Sequence, residues 1–558
     1  MTENESIKIK NVQKLVKFPY LALLISLIIM LVFDQITWER RFGIQFLLLM
    51  FLILIGLFVL VWAEKKSIPW TSYLLMIPIL FGAIMTIIQK ATTTTFLNIM
   101  LALLALAYLA ITLLNGHWMR YRIREVGLGF LLLVKSALVD PIKAFLQNSR
   151  FHKENASGEK KNGWQKIRPF LLGLLIAIPL ILILTALLAS ADLIFRERLA
   201  GLLNLITIDN IIEYIFRLFY IIILGYFLMG AYLHALTRSA DEKSFTPDKP
   251  VVQPFLGFVE ALTVLVLVNL LFLSFIIIQF RYFFAGQANI SVEGFTFAEY
   301  ARRGFFELVA VAVISLGVFY LLSMFTKRNT RFSRISFSAL SALLLVQVGC
   351  MLISAYQRLN LYEAAYGFTT FRTITHIFMF WLGILLIVVM LMEVFNRFRR
   401  LALVLFLGFF GFTVTLNLLN MDRFIVQRNL AHAIAGHPLD AGYLLNNLSA
   451  DSIPALFEAE QAPETPQELK DTLTAILACK FARKNAEENS ERSWMEWHYS
   501  ESKANRLFEK HRDSLEEYRF NLHSETYYYD QDGRRFEDFY GYYYFEAGGE
   551  EIYCMPAE

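Results

Sequence analysis

Long apolar runs recur along the chain, separated by short polar stretches. A helix needs roughly 20 mostly apolar residues to cross the hydrocarbon core of a bilayer. Runs of this kind cover 18–33, 44–63, 71–88, 96–114, 169–191, 210–236, 254–279, 304–325, 335–354, 373–394 and 401–418. The pattern predicts an all-α polytopic transmembrane bundle of about eleven spans. The stretch 127–146 is apolar too, but Lys135, Asp140, Pro141 and Lys143 interrupt it. It reads as an interfacial or packed amphipathic segment, not a span. Four lysines precede the first run, as in a secretory leader, but no small-x-small cleavage signal follows Phe33. The first run is therefore expected to remain as a span.

After residue 418 the long apolar runs stop, and a small soluble tail is expected. Thr465-Pro-Gln-Glu468 is a capping box with Pro at the first helical position. Leu469, Leu473, Ile476, Leu477 and Phe481 then recur at helical spacing. A second tail helix is expected over 501–521, and the Tyr-rich stretch Tyr527 to Phe545, with Asp532-Gly533 as its turn, predicts a β-hairpin. Thr296 and Glu299 form another capping box, before a helix running from 297 to 325. That helix would be roughly 43 Å long, against a core of roughly 30 Å, so its first turns should stand above the membrane or tilt. The chain thus divides into 1–168 (four spans and a basic loop), 169–418 (the remaining spans) and the tail 419–558.

Composition agrees and adds orientation. Hydrophobic residues make up 56% and charged residues 18%, below the roughly 25% charged of soluble domains. Residues 1–418 hold 38 Lys+Arg against 22 Asp+Glu, and residues 419–558 hold 14 against 26. With the N-terminus inside, the inner segments carry 27 Lys+Arg and the outer loops 10. The positive-inside rule then places the N-terminus in the cytoplasm and, with an odd number of spans, the tail outside. The basic segment 150–168 fits this topology and anionic lipid better than nucleic acid. Of three cysteines, Cys350 lies in an apolar run, and Cys479 and Cys554 could pair if the tail is extracytoplasmic. No CxxC or Cys/His cluster suggests a metal, and nothing suggests a cofactor.

Four polar segments fall at the expected outer face: Glu213 with Arg217; residues 295–307 with Glu299, Tyr300, Arg303 and Glu307; residues 358–372 with Arg358, Tyr362, Glu363, Tyr366 and Arg372; and residues 417–430 with Asn420, Asp422, Arg428 and Asn429. Together they could line a ligand pocket, in which arginines suit a phosphate or carboxylate head group. The plainer reading, which the residues favour, is structural. Glu299, Arg303 and Glu307 make a ladder at i,i+4 spacing, the tyrosines are interfacial aromatics, and Asp422 and Arg428 fasten the tail. Asn269 and Gln347 lie deep, where single amides more often join helices than move ions. HExxH, GxSxG and GK[ST] motifs are all missing, so no catalytic residue is assigned. His376, His432 and His437 read as packed or solvated.

The runs TFAEYARRGFFELVAVAVISLG, RLNLYEAAYGFTTFR and NMDRFIVQRNLAHAIAGHPLDAGYLLNNLSADSIPAL resemble a bacterial multi-pass membrane family, a domain of unknown function of the 4153/4173 type, over roughly 170–456. The resemblance implies a bacterial plasma-membrane protein and no activity. Its motifs match here at Glu299, Tyr300, Arg303, Gly304, Glu307, Tyr362, Glu363, Tyr366, Gly367, Arg372, Asn420, Asp422, Arg428 and Asn429, with no chemical role attached. The leading expectation is a non-enzymatic envelope sensor or assembly protein that binds an anionic lipid, another ligand or an envelope protein at its outer face. The alternatives are a transporter or lipid-moving protein, and a membrane-embedded transferase acting on a lipid-linked substrate.

Overall fold

The computed structural model describes residues 16–40, 43–155, 211–240, 254–284, 305–395, 397–487, 493–530 and 535–556, with single residues between 173 and 195. Six helices pack as a first bundle: α1 (Pro19–Thr37), α2 (Gln45–Ala63), α3 (Met76–Ile88), α4 (Thr92–Thr112), α5 (Ile123–Asn155) and α6 (Ile211–Thr237). A second bundle comprises α7 (Phe258–Phe284), α8 (Phe305–Phe325), α9 (Arg331–Tyr366) and α10 (Thr370–Val394). Between them, α11 (Leu401–Leu419) packs on both α4 and α10.

Among the described residues, ten helices are long and apolar enough to cross a membrane. Their outward surfaces are as apolar as their inward ones. On α2, Met50, Leu57 and Leu60 are buried, while Ile55, Val59 and Trp62 are exposed. A helix hydrophobic all round is stable only when lipid covers the outer side. The chain is a multi-pass membrane protein. Most of the expected span 169–191 lies outside the described residues.

The interrupted stretch 127–146 belongs to α5, which packs against α6. Ser136, Asp140 and Ala144 face inward, whereas Leu131, Val134, Leu138, Ile142 and Leu146 are exposed. The polar stripe is thus the packed one: Asp140 pairs with Arg238 at 3.1 Å and Ser136 meets the His234 imidazole at 2.9 Å. The apolar stripe is left for lipid.

Two faces emerge from the loop contacts. At one, the Lys17 and Phe18 amides donate to Glu64, Trp118 donates to the Thr71 carbonyl, and the Leu114 amide donates to Ser239. At the other, the starts of α2, α4 and α10 meet the tail. Phe145 packs on Tyr20 at the first face, and Arg217 near the start of α6 meets Asp34 at the second.

Helix α9 corrects the sequence reading of its loop. It was expected to span 335–354 with a loop to 372, yet it continues to Tyr366, about 54 Å in all. No breaker intervenes before Gly367, whose φ of +73° ends it.

The tail has its own core. It contains α12 (Met421–Ile434), α13 (Ala441–Asn446), α14 (Ile453–Gln461), α15 (Gln467–Glu487), α16 (Tyr499–Lys510), α17 (Arg512–Glu516) and the strands β1 (Asn521–Asp530), β2 (Arg535–Ala547) and β3 (Glu550–Pro556), which form an antiparallel sheet in the order β1-β2-β3. Leu444, Leu456, Ile476, Phe508 and Phe545 pack at its centre. The amphipathic helix beginning near 467 is present, with Leu473, Ile476, Leu477 and Phe481 buried. Thr465 is not bonded as expected: its hydroxyl donates to the Ala459 carbonyl at 2.8 Å. The helix expected over 501–521 stops at Lys510 and resumes for one short turn. The hairpin begins six residues before Tyr527, and β3 adds a third strand because Gly548 and Gly549, both at positive φ, turn the chain back.

Candidate functional site at the tail-side face

The matched residues Glu299, Tyr300, Arg303 and Gly304, with the Thr296–Glu299 capping box, lie outside the described residues. Glu307 is exposed in the first turn of α8. The remaining positions collect where α9, α10, α11 and α12 meet the tail.

The α9–α10 corner is built around its chain reversal. Arg372 donates to the Tyr366 carbonyl at 3.1 Å and to the Gly367 carbonyl, and its guanidinium lies 4.2 Å from the Tyr362 ring centroid. Tyr362 packs edge-on against Tyr366. Asn429 from α12 then reads the reversal as a peptide would. It accepts from the Phe368 amide at 2.6 Å and donates to the Phe368 carbonyl at 2.8 Å. Deeper, Glu363 is 2% exposed. Its Oε2 lies 3.1 Å from His376 Nδ1, and the imidazole packs against the Tyr356 ring. Glu363 Oε1 and His376 Nε2 are buried and make no hydrogen bond. Arg358, also buried, donates to Gln279 at 3.0 Å on α7.

The junction of the last span with the tail is a second network. Asn420, at φ +46°, ends α11 and caps α12 by accepting from the Arg423 amide. Asp422 is buried and accepts from both the amide and the hydroxyl of Ser449 at 2.7 Å. Burial pushes its carboxyl up, against the pull of the Ser449 bonds. Lys480 lies nearby, donating to the Leu445 and Leu448 carbonyls, and burial lowers its ammonium to about 8. Asp451 accepts from the amides of Lys90 and Ala91, the two residues that lead into α4. Arg428 is exposed and stacks on Phe424.

The sequence profile of a domain of unknown function, DUF4153, matches residues 76–459. That is more than half of the chain, and it takes in the first bundle from α3 onward, the second bundle, α11 and the first part of the tail. The chain belongs to the DUF4153 family. The match begins well before residue 170, where the sequence motifs first suggested the resemblance. No curated protein and no solved structure matches this DUF4153 chain.

The DUF4153 corner unites some expected site residues and separates others. Tyr362, Tyr366, Arg372 and Asn429 meet, whereas Glu363 and Asp422 sit in different networks and Glu307 in neither. Among the described residues, no three His, Cys, Asp or Glu side chains could hold a metal ion together. Two partners escaped the sequence reading. His376 was read as solitary, yet it is the partner of Glu363. Asp34, placed in a loop, is buried at the end of α1 and receives a forked Arg217 guanidinium at 2.6 Å, with Tyr220 and Glu213 completing the set. The signal was Arg217 itself, since an arginine inside a span needs a carboxylate on a neighbouring helix. In mid-membrane, Gln347 donates to the Asn269 carbonyl at 3.2 Å and Asn269 donates to the Leu265 and Leu340 carbonyls. These amides join α7 to α9, as the sequence favoured.

Proposed function

We propose that this DUF4153 protein is a bacterial plasma-membrane protein whose tail-side face is extracytoplasmic and binds a ligand or envelope partner, without itself being an enzyme. The observation that carries this reading is the docking of the tail on both bundles. The Ile44 amide donates to the Met495 carbonyl, Asp451 caps α4, Asn429 pairs with Phe368, and the Thr370 amide donates to the Tyr443 hydroxyl. The matched residues thus lie on a surface that membrane and soluble parts build jointly, suited to an anionic lipid or an envelope protein.

The bond between Cys479 on α15 and Cys554 on β3 supports the outward orientation, because disulfides persist in oxidising compartments. Transport is less supported: the mid-membrane NH2 groups of Asn269 and Gln347 donate to helix carbonyls and join α7 to α9. A transferase is also less supported, because Glu307, Glu363 and Asp422 do not converge.

The test is labelling of intact cells with a membrane-impermeant thiol reagent in a Cys350→Ser background. Ser514→Cys and Ala365→Cys should react, and Ser67→Cys should react only after permeabilisation. The opposite pattern would overturn the orientation. Arg372→Ala or Asp422→Ala variants that fold and leave every cellular phenotype intact would overturn the binding role.

A further inference from the structure

The Glu363–His376 pair is incomplete on both sides. A carboxylate only accepts hydrogen bonds, so His376 Nδ1 carries the hydrogen pointing at Glu363 Oε2. In the neutral imidazole, His376 Nε2 is then an acceptor. Both it and Glu363 Oε1 are buried and unpartnered. Such groups are rare in folded proteins and call for an explanation.

The surroundings narrow what would complete it. Arg372, one helical turn from His376, is committed to two backbone carbonyls and the Tyr362 ring. Among the described residues, His376 is the sole basic side chain within 4 Å of Glu363. Tyr356, whose ring covers the imidazole, is 42% exposed, and Ile353 on α9 and Phe380 on α10 are each 61% exposed. This seam between α9 and α10 therefore opens toward lipid. Glu363 lies three residues from the end of α9, about 5 Å along the helix and so near headgroup level.

We propose that Glu363 and His376 form a binding site for a primary ammonium group carried by a lipid headgroup in the tail-side leaflet, of the phosphatidylethanolamine type. This rests on the tail-side face being a binding face and gives that face a ligand class. A primary ammonium brings N–H donors for the free acceptors and a charge for the carboxylate. A trimethylated ammonium lacks the donors, and a hydroxyl lacks the charge. The tyrosine rings add a favourable surface for a cation.

The experiment titrates the purified full chain in detergent, read by native mass spectrometry. The probes are short-chain phosphatidylethanolamine, phosphatidylcholine and phosphatidylglycerol of equal chain length, and free ethanolamine. Phosphatidylethanolamine should bind about tenfold or more tighter than phosphatidylcholine, the worth of one charge-assisted hydrogen bond. Glu363→Gln and His376→Gln should erase that preference and leave phosphatidylcholine and phosphatidylglycerol binding unchanged. Equal binding of the ethanolamine and choline lipids by the wild-type chain overturns the site, and this comparison needs no variant to fold. Free ethanolamine binding as tightly as the lipid would uphold the ammonium site and overturn its lipid source. Inverted thiol labelling would overturn the outward orientation alone and leave the lipid preference standing.

Discussion

Each end of the second bundle buries a carboxylate, and the two are treated differently. At the end away from the tail, Glu393 of α10 accepts from Arg328 at 2.6 Å, from Ser338 at 2.9 Å and from Ser323 at 3.3 Å. Arg328 also donates to the Ser323 carbonyl and lies 3.8 Å over the Phe337 ring. Helices α8, α9 and α10 are all tied by this one knot. At the tail-side end, Glu363 has a single partner and a free oxygen. A buried carboxylate with both oxygens engaged and a paired guanidinium holds a structure together. Glu363, left half-engaged, is the one that the proposed ammonium site would complete.

The sharpest way to break that comparison is Arg328→Ala, which would strand Glu393 without its counter-ion. Removing one partner of a buried pair costs about 3–5 kcal/mol, read as a lowered midpoint of denaturant unfolding in detergent. If Arg328→Ala unfolds no more easily than Glu363→Gln, the distinction between the two ends is lost.

The tail offers a third kind of buried charge. Lys480 donates to two carbonyls and feels Asp422, yet burial still lowers it from 10.5 to about 8. Folding therefore disfavours its charged form. The penalty is fully present below pH 8. It is relieved as pH rises from about 8 to 10.5, where the folded tail has released a proton that the unfolded chain still holds. A shift of this size is worth about 3 kcal/mol. The stability difference between wild type and Lys480→Met should change by that order across this window. A pH-independent difference would mean that Lys480 is solvated in the folded tail.

How much of this could be read beforehand follows from what periodicity encodes. The spans were legible because lipid demands apolar residues on every side, and the tail because its charge and patterning change together. Helix α9 ran past its expected end because a hydropathy window stops at the first polar residues, whereas the helix stops only at Gly367. The pairs Glu363–His376 and Asp34–Arg217 were hidden for a related reason. Each joins residues from different helices, and spacing along one chain segment carries no information about the neighbour. Asn429 was legible as a matched motif position, but its bonds to the Phe368 backbone were not, because backbone groups leave no mark in a sequence.

Gly367 tests the corner between the two networks. Its φ of +73° is strained for any residue with a side chain, and an added Cβ would lie 2.8 Å from Asn429 Oδ1. Gly367→Ala should cost roughly 1–3 kcal/mol and weaken the hold of α12 on the α9–α10 reversal. Limited proteolysis should then cut between the last span and the tail faster than in wild type. Unchanged cutting would show that the tail docks independently of this corner.

The smallest expected effect is the most informative. Glu363→Gln keeps the side-chain shape and an oxygen for His376 Nδ1 to donate to. It loses a charge-assisted bond, which is unfavourable, and removes a buried charge with one oxygen unpartnered, which is favourable. These terms oppose each other, so the change in stability should stay within about 1 kcal/mol, the typical net worth of one hydrogen bond. The thermal unfolding midpoint of the purified chain should therefore barely move. A loss as large as that expected for Arg328→Ala would place Glu363 beside Glu393 as a structural carboxylate. The free oxygen at the tail-side end would then be tolerated by the fold, with no ligand needed to explain it.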